Sequence, residues 1–144
     1  MQNMILTSII KYENELNTIL KLQKVVYTML TKFKLTCPKK YNKVLEPLQK
    51  TPICIFINYK FSEVVAAVSW TGNRKIKQIN IEFNHLIFEC NNKQTKAIIS
   101  HELGHVIDLL YRGSKSPDHD KVWKEIAVIF GALPNSTIPR DFLP

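Results

Sequence analysis

Apolar residues in the first third recur at spacings of three, four and seven: Ile9, Leu16, Ile19, Leu20, Val26, Met29, Leu30 and Phe33. That period predicts one long amphipathic helix over about residues 3–36, with lysines on its outer face. Pro38 ends it, and Lys39–Leu48 has room for a short second helix before Pro52. The period then changes. Ile53–Tyr59 and Val64–Thr71 are short β-branched and aromatic runs, Gly72-Asn73 supplies a turn, and Ile76, Ile79, Ile81 and Phe83 continue as a further strand. These strands predict a small, mostly antiparallel sheet. A helical period returns with Ala97, Ile98, Leu103, Val106, Ile107 and Leu110, capped by Asn92 at the start and Gly113 at the end. After the loop Ser114–Pro117, a last helix of about Asp118–Phe130 ends at Gly131 and Pro134. The expected fold is α+β, a single domain over residues 1–144: a long N-terminal helix, a small sheet and two further helices.

The third helical stretch carries His101-Glu102-Leu103-Gly104-His105. Residues four apart on a helix share a face, so His101 and His105 can offer two imidazole nitrogens to one Zn²⁺. Glu102 stands beside the first, where it can take a proton from zinc-bound water as in HExxH metallopeptidases. A catalytic zinc site needs a third protein ligand, and Asp108, Asp118, His119, Asp120 and Glu125 all follow. Asp108, three residues after His105, is too nearly in line to complete the set and suits a partner for a histidine N–H. His119 follows a loop that can turn the chain back, and it is the expected third ligand, with Glu125 in reserve.

This pattern resembles the SprT-like zinc metallopeptidases. Their motif is HExxH, a gap of about a dozen residues or slightly more, a third His, three residues and an aromatic. Here His119, Asp120-Lys121-Val122 and Trp123 follow His105 in that order. Phe130-Gly131 with Pro134, and upstream Trp70, Arg74 and Ile81-Glu82-Phe83-Asn84, stand in places similar to the family's. Asp120 departs from the Gly that often follows the third His, and no cysteine zinc ribbon of the kind many members carry is expected. The resemblance implies a zincin-type active-site helix and zinc held by His101, His105 and His119. It also implies Glu102 as general base and later acid, and protein or peptide substrates, DNA-associated proteins among them. In such folds an extended substrate lies along an edge strand, and Ile76–Phe83 is the expected edge. Trp123 is expected to anchor the last helix in the core, whereas Trp70 suits core or cleft. Two other readings stay open. One is a basic nucleic-acid-binding module with a structural zinc. The other is an ImmA/IrrE-like regulatory peptidase in which Glu125 replaces His119.

Charge locates the rest. The 144 residues hold 20 Lys+Arg against 12 Asp+Glu, a net charge of +8. Residues 11–50 carry nine Lys against three Glu, while residues 101–144 carry five basic against six acidic. The excess therefore lies away from the histidines. It suits non-specific DNA binding through residues 11–50 or a solvated helix face. With only Arg74, Arg112 and Arg140 as arginines, base-specific reading of DNA is disfavoured. Cys37, Cys54 and Cys90 are odd in number, far apart and without a CxxC pair, which argues against a disulfide framework. The N-terminal apolar run is too short and interrupted for a signal peptide or membrane span. A cytoplasmic protein is expected, or a nucleoid or nuclear one if it associates with DNA.

Overall fold

The computed structural model describes residues 2–115 and 117–132, with side chains from Glu13 onward. Helix α1 (Gln2–Thr36) stops before Pro38, and a 3₁₀ turn (Lys39–Val44) runs into the short helix α2 (Leu45–Lys50). Strands β1 (Ile53–Asn58), β2 (Ala66–Thr71) and β3 (Gln78–Asn84) follow. A second 3₁₀ turn (His85–Glu89) leads to α3 (Asn92–Arg112) and then α4 (Lys121–Ile129). The architecture is α+β, as the periodicities predict. Pro134, expected to end the last helix, lies outside the described residues. No described helix is long and apolar enough to cross a membrane.

The sheet departs from expectation in order and direction. Its strand order is β1-β3-β2, with β2 antiparallel to β3 but β1 parallel to it. The sheet is therefore mixed, and β3 is the central strand rather than the expected edge. A hairpin dictates its own antiparallel pair, whereas the place of β1 depends on which free edge of β3 lies nearer the core. Central placement agrees with burial: Ile79, Ile81 and Phe83 are fully buried on one row of β3, whereas Trp70 and Thr71 at the end of β2 are exposed. The turn is also longer than a Gly-Asn pair, because residues 72–77 close the loop and Lys77 N–H donates to the Thr71 carbonyl at 2.8 Å. Gly72 opens it at φ +115°, where a Cβ would lie 2.0 Å from the Lys75 carbonyl oxygen. Only glycine fits there.

One core joins the elements. Leu22, Val26, Leu30 and Phe33 of α1 meet Ile79, Ile81 and Phe83 of β3 and Ile98, Ile99, Leu103, Val106 and Ile107 of α3. Leu16 and Leu20, expected on this face, are about half exposed instead. The buried row steps 22, 26, 30, 33: Leu22, absent from the predicted set, stands one turn before Val26 on the same face, whereas Leu16 and Leu20 turn away from it. Asn84 closes the sheet's far end. Its buried amide donates to the carbonyls of Phe61, Ser62 and Val64, and its oxygen accepts from Leu86 N–H. Helix α3 begins one residue earlier than predicted, with Asn91 rather than Asn92 as cap. Gln94 decides this, because the Asn91 and Gln94 side chains each accept the other's backbone N–H at 2.9 Å.

Candidate metal centre

Helix α3 sets the first two histidines one turn apart on a buried face, and His101 is 8% exposed. The third arrives from α4's entry. Chain reversal after Gly113 brings His119 back beneath α3, and His119 takes φ +56°, the one positive φ among described non-glycine residues. An L-residue held in that region costs about 1–2 kcal/mol, and such strain tends to gather at functional sites. The result is convergence. His119 Nε2 lies 3.0 Å from His105 Nε2 and 3.3 Å from His101 Nε2.

Those spacings have a chemical meaning. A tetrahedral ion with metal–nitrogen bonds of about 2.0–2.1 Å sets neighbouring nitrogens about 3.3–3.4 Å apart. A hydrogen bond between neutral imidazoles uses one nitrogen as donor and one as acceptor, leaving the third facing a lone pair. One cation takes all three lone pairs. Among the described residues His101, His105 and His119 form the one group of three that lies close enough to hold a metal ion. Glu125, the reserve ligand, is outside the group and pairs with Lys40.

Trp123 organises the three rings. Its fully buried indole lies 4.7 Å from the His101 ring, 5.0 Å from His105 and 4.7 Å from His119, centroid to centroid. The expected anchor is thus also the wall behind the site. Gly104 explains how α4 comes so near: a Cβ there would lie 2.9 Å from the Ala127 Cβ and 3.0 Å from Trp123 Nε1. Alanine is normally the better helix residue by about 1 kcal/mol, but overpacking a filled contact costs about 1–3 kcal/mol. Gly104→Ala is therefore expected to lower the stability measured by urea unfolding and to weaken metal retention. A gain in stability would contradict this packing.

Carboxylates surround the histidines in an order the sequence does not reveal. Asp108 does not meet a histidine N–H as expected. Its buried carboxylate instead takes two bonds from Arg112, Nε at 2.6 Å and Nη2 at 2.8 Å, four residues along the same helix. Arg112 also grips Asp120 through Nη1 at 2.7 Å and Nη2 at 2.8 Å. Asp120 in turn caps α4, accepting Trp123 N–H at 3.1 Å. One guanidinium therefore ties the end of α3 to the residue after His119. The side-chain bond to Arg112, helped by the Trp123 N–H, holds the Asp120 carboxyl down at about 2. Asp118, four-fifths exposed, approaches His105 Nδ1 at 4.0 Å. Sequence reasoning missed Arg112 altogether, although the four-residue step from Asp108 was a signal for the first of its two pairs.

Electrostatics keep His101 and His105 neutral. Burial first, then the neighbouring rings, lower His101 and His105 to about 4. Unfolded histidines titrate near 6.5, so between those values the unfolded chain binds more protons. The stability that these two histidines contribute to the metal-free chain is then present above pH 6.5 and is lost as pH falls towards 4. Glu102, raised to about 8, has the opposite sign over this range, so the test uses the Glu102→Gln chain: its urea titrations in chelator at pH 7.5 and pH 5 are expected to show the lower midpoint at pH 5, and equal midpoints would count against buried neutral histidines.

Glu102, 3% exposed, lies beside His101 with no hydrogen bond or ion pair among the described residues, and burial, with Asp118 adding to it, raises its carboxyl to about 8. It faces a cleft of about 350 Å³ bounded by the three histidines, Ala66–Val68 of β2 and Trp70. Trp70 therefore belongs to the cleft, and the edge strand beside the site is β2. No protein-family model matches the chain, and neither the curated proteins nor the solved structures yield a match.

Proposed function

We propose that the chain is a zinc-dependent endopeptidase of SprT-like type that hydrolyses peptide bonds of protein substrates. The observation that carries this reading is a buried, unpaired glutamate beside three convergent imidazoles, in a cleft flanked by a sheet edge. A metal held only for structure has no use for such a carboxylate. Three imidazole nitrogens suit zinc, and an ion with three protein ligands keeps one position open. When bound, zinc would polarise the scissile carbonyl and lower the pKa of water at that position.

The chain's own residues supply the remainder. The outer edge of β2 offers unpaired backbone groups to an extended substrate, which would lie along it as an added strand. Glu102 takes the proton from the attacking water and delivers it to the leaving amine. The rings of His101, His105 and His119 are held against Trp123, so no reorganisation is needed during the reaction. The ImmA/IrrE-like alternative loses support from the pairing of Glu125 with Lys40.

Metal analysis of the purified chain tests the reading. One zinc per chain is expected, with retention lost in His119→Ala and kept in Glu125→Gln. Zinc that survives His119→Ala and leaves with Glu125→Gln would transfer the third ligand to Glu125.

A further inference from the structure

The cleft continues into a second, larger groove of about 860 Å³, and Trp70, Leu109, Gly113 and Ser114 line both. This groove leaves the metal centre along the C-terminal end of β2. Its lining includes five cations, Lys43, Lys50, Arg74, Lys75 and Lys77, against the single acid Glu46. They are not equivalent. Lys50 is paired with Glu46, and Lys43 stands 4.4 Å over the Tyr111 ring. Arg74, Lys75 and Lys77, on the loop after Gly72, are exposed and make no ion pair among the described residues. The loop that only glycine can open thus presents three uncompensated cations at one end of the cleft.

From these positions we infer that the groove recognises acidic residues of the polypeptide being cleaved, about four to six positions from the scissile bond. The inference rests on the peptidase reading and adds a substrate class to it. A chain paired to β2 advances about 3.3 Å per residue, so the segment leaving Ala66–Val68 reaches Gly72 after about four residues. Beyond it stand Arg74, Lys75 and Lys77. The groove also has an apolar lining of Pro47, Ile76, Leu110 and Trp70. Such a surface suits side chains of a peptide. A single-strand nucleic-acid path needs repeated aromatic platforms, and Trp70 is the one aromatic residue here.

Fluorescence anisotropy with the full-length Glu102→Gln chain tests this without depending on hydrolysis. The probes are two labelled peptides with one neutral core. One carries three Asp or Glu four to six residues from the core, and the other carries Gln at those places. Exposed pairs are individually weak, and three together are expected to favour the acidic peptide about 5–20-fold at low salt, less as salt rises. Adding Arg74→Gln, Lys75→Gln and Lys77→Gln together should remove most of that preference, whereas Lys24→Gln with Lys32→Gln and Lys34→Gln on α1 should preserve it. Equal binding of the two peptides, or a preference that survives the loop variant, overturns the inference. Tighter binding of a single-stranded oligonucleotide of equal length, lost in the same loop variant, would reassign the groove to nucleic acid. The peptidase reading fails separately, if the unmodified zinc-loaded chain cleaves neither peptide.

Discussion

Glu102→Gln is expected to lower peptide hydrolysis by about 10²–10⁴-fold, the usual contribution of a positioned general base, while zinc stays at one per chain. Both halves follow from the same environment. The carboxylate faces the cleft next to the imidazoles but belongs to no ion pair or hydrogen bond among the described residues. An amide of equal size therefore removes the proton carrier and disturbs no partner. Because burial already disfavours the charged carboxylate, the thermal midpoint of the variant should not fall. Steady-state hydrolysis, metal content and a melting curve on one preparation check the prediction together. Activity within a few-fold of the unmodified chain would remove Glu102 from the chemistry. An inactive variant that has also lost its zinc would show instead that Glu102 maintains the metal site.

The second large effect is expected at Arg112, which touches no ligand. Its guanidinium holds Asp108 on α3 and Asp120 at the head of α4, and His119 lies between those elements in a left-handed backbone conformation. Arg112→Met leaves Asp108 buried and unpaired, at a cost of about 3–5 kcal/mol, and releases the residue next to His119. Loss of such supporting partners usually costs about 10–100-fold in metal affinity. That range is the expected drop in zinc affinity, measured by competition with a chromophoric chelator. Arg112→Lys keeps the charge but cannot form two forked pairs, so it should fall between. Zinc affinity unchanged within two-fold in Arg112→Met would mean that the loop positions His119 without this clamp.

These two residues mark how far the sequence could be read. Glu102 was legible because HExxH is local: a helix places positions four apart on one face, whatever the rest of the fold does. His119 was legible through its spacing to Trp123. The left-handed backbone that aims it was not, because nothing in a His-Asp pair demands it. The glycine that often follows the third His in the SprT-like peptidases, which the motif resembles, would have suggested such a backbone one position later. Asp108 was matched to the wrong partner, since a histidine three residues before it and an arginine four residues after it are both in helical reach. Only the second pull on Arg112, from Asp120 across the loop, decides between them. The sheet shows the same limit. Alternation at Ile79, Ile81 and Phe83 identified a strand with one buried row, but the sides on which its neighbours lie are set by packing against α1 and α3. Hence β2, not β3, borders the cleft. The α1 face was legible at Val26, Leu30 and Phe33 but not at Leu16 and Leu20: apolar residues occur around much of the helix, and the core takes Leu22 instead of those two.

The central claim is that His101, His105 and His119 together hold one zinc with a position left for water beside Glu102. X-ray absorption at the zinc edge, on the purified zinc-loaded chain, tests it most directly. Three imidazole nitrogens and one light oxygen donor at about 2.0–2.1 Å are predicted, with one imidazole missing from the spectrum of His119→Ala. A first shell containing sulfur, or a spectrum of the intact chain with two imidazoles that His119→Ala leaves unchanged, would contradict it.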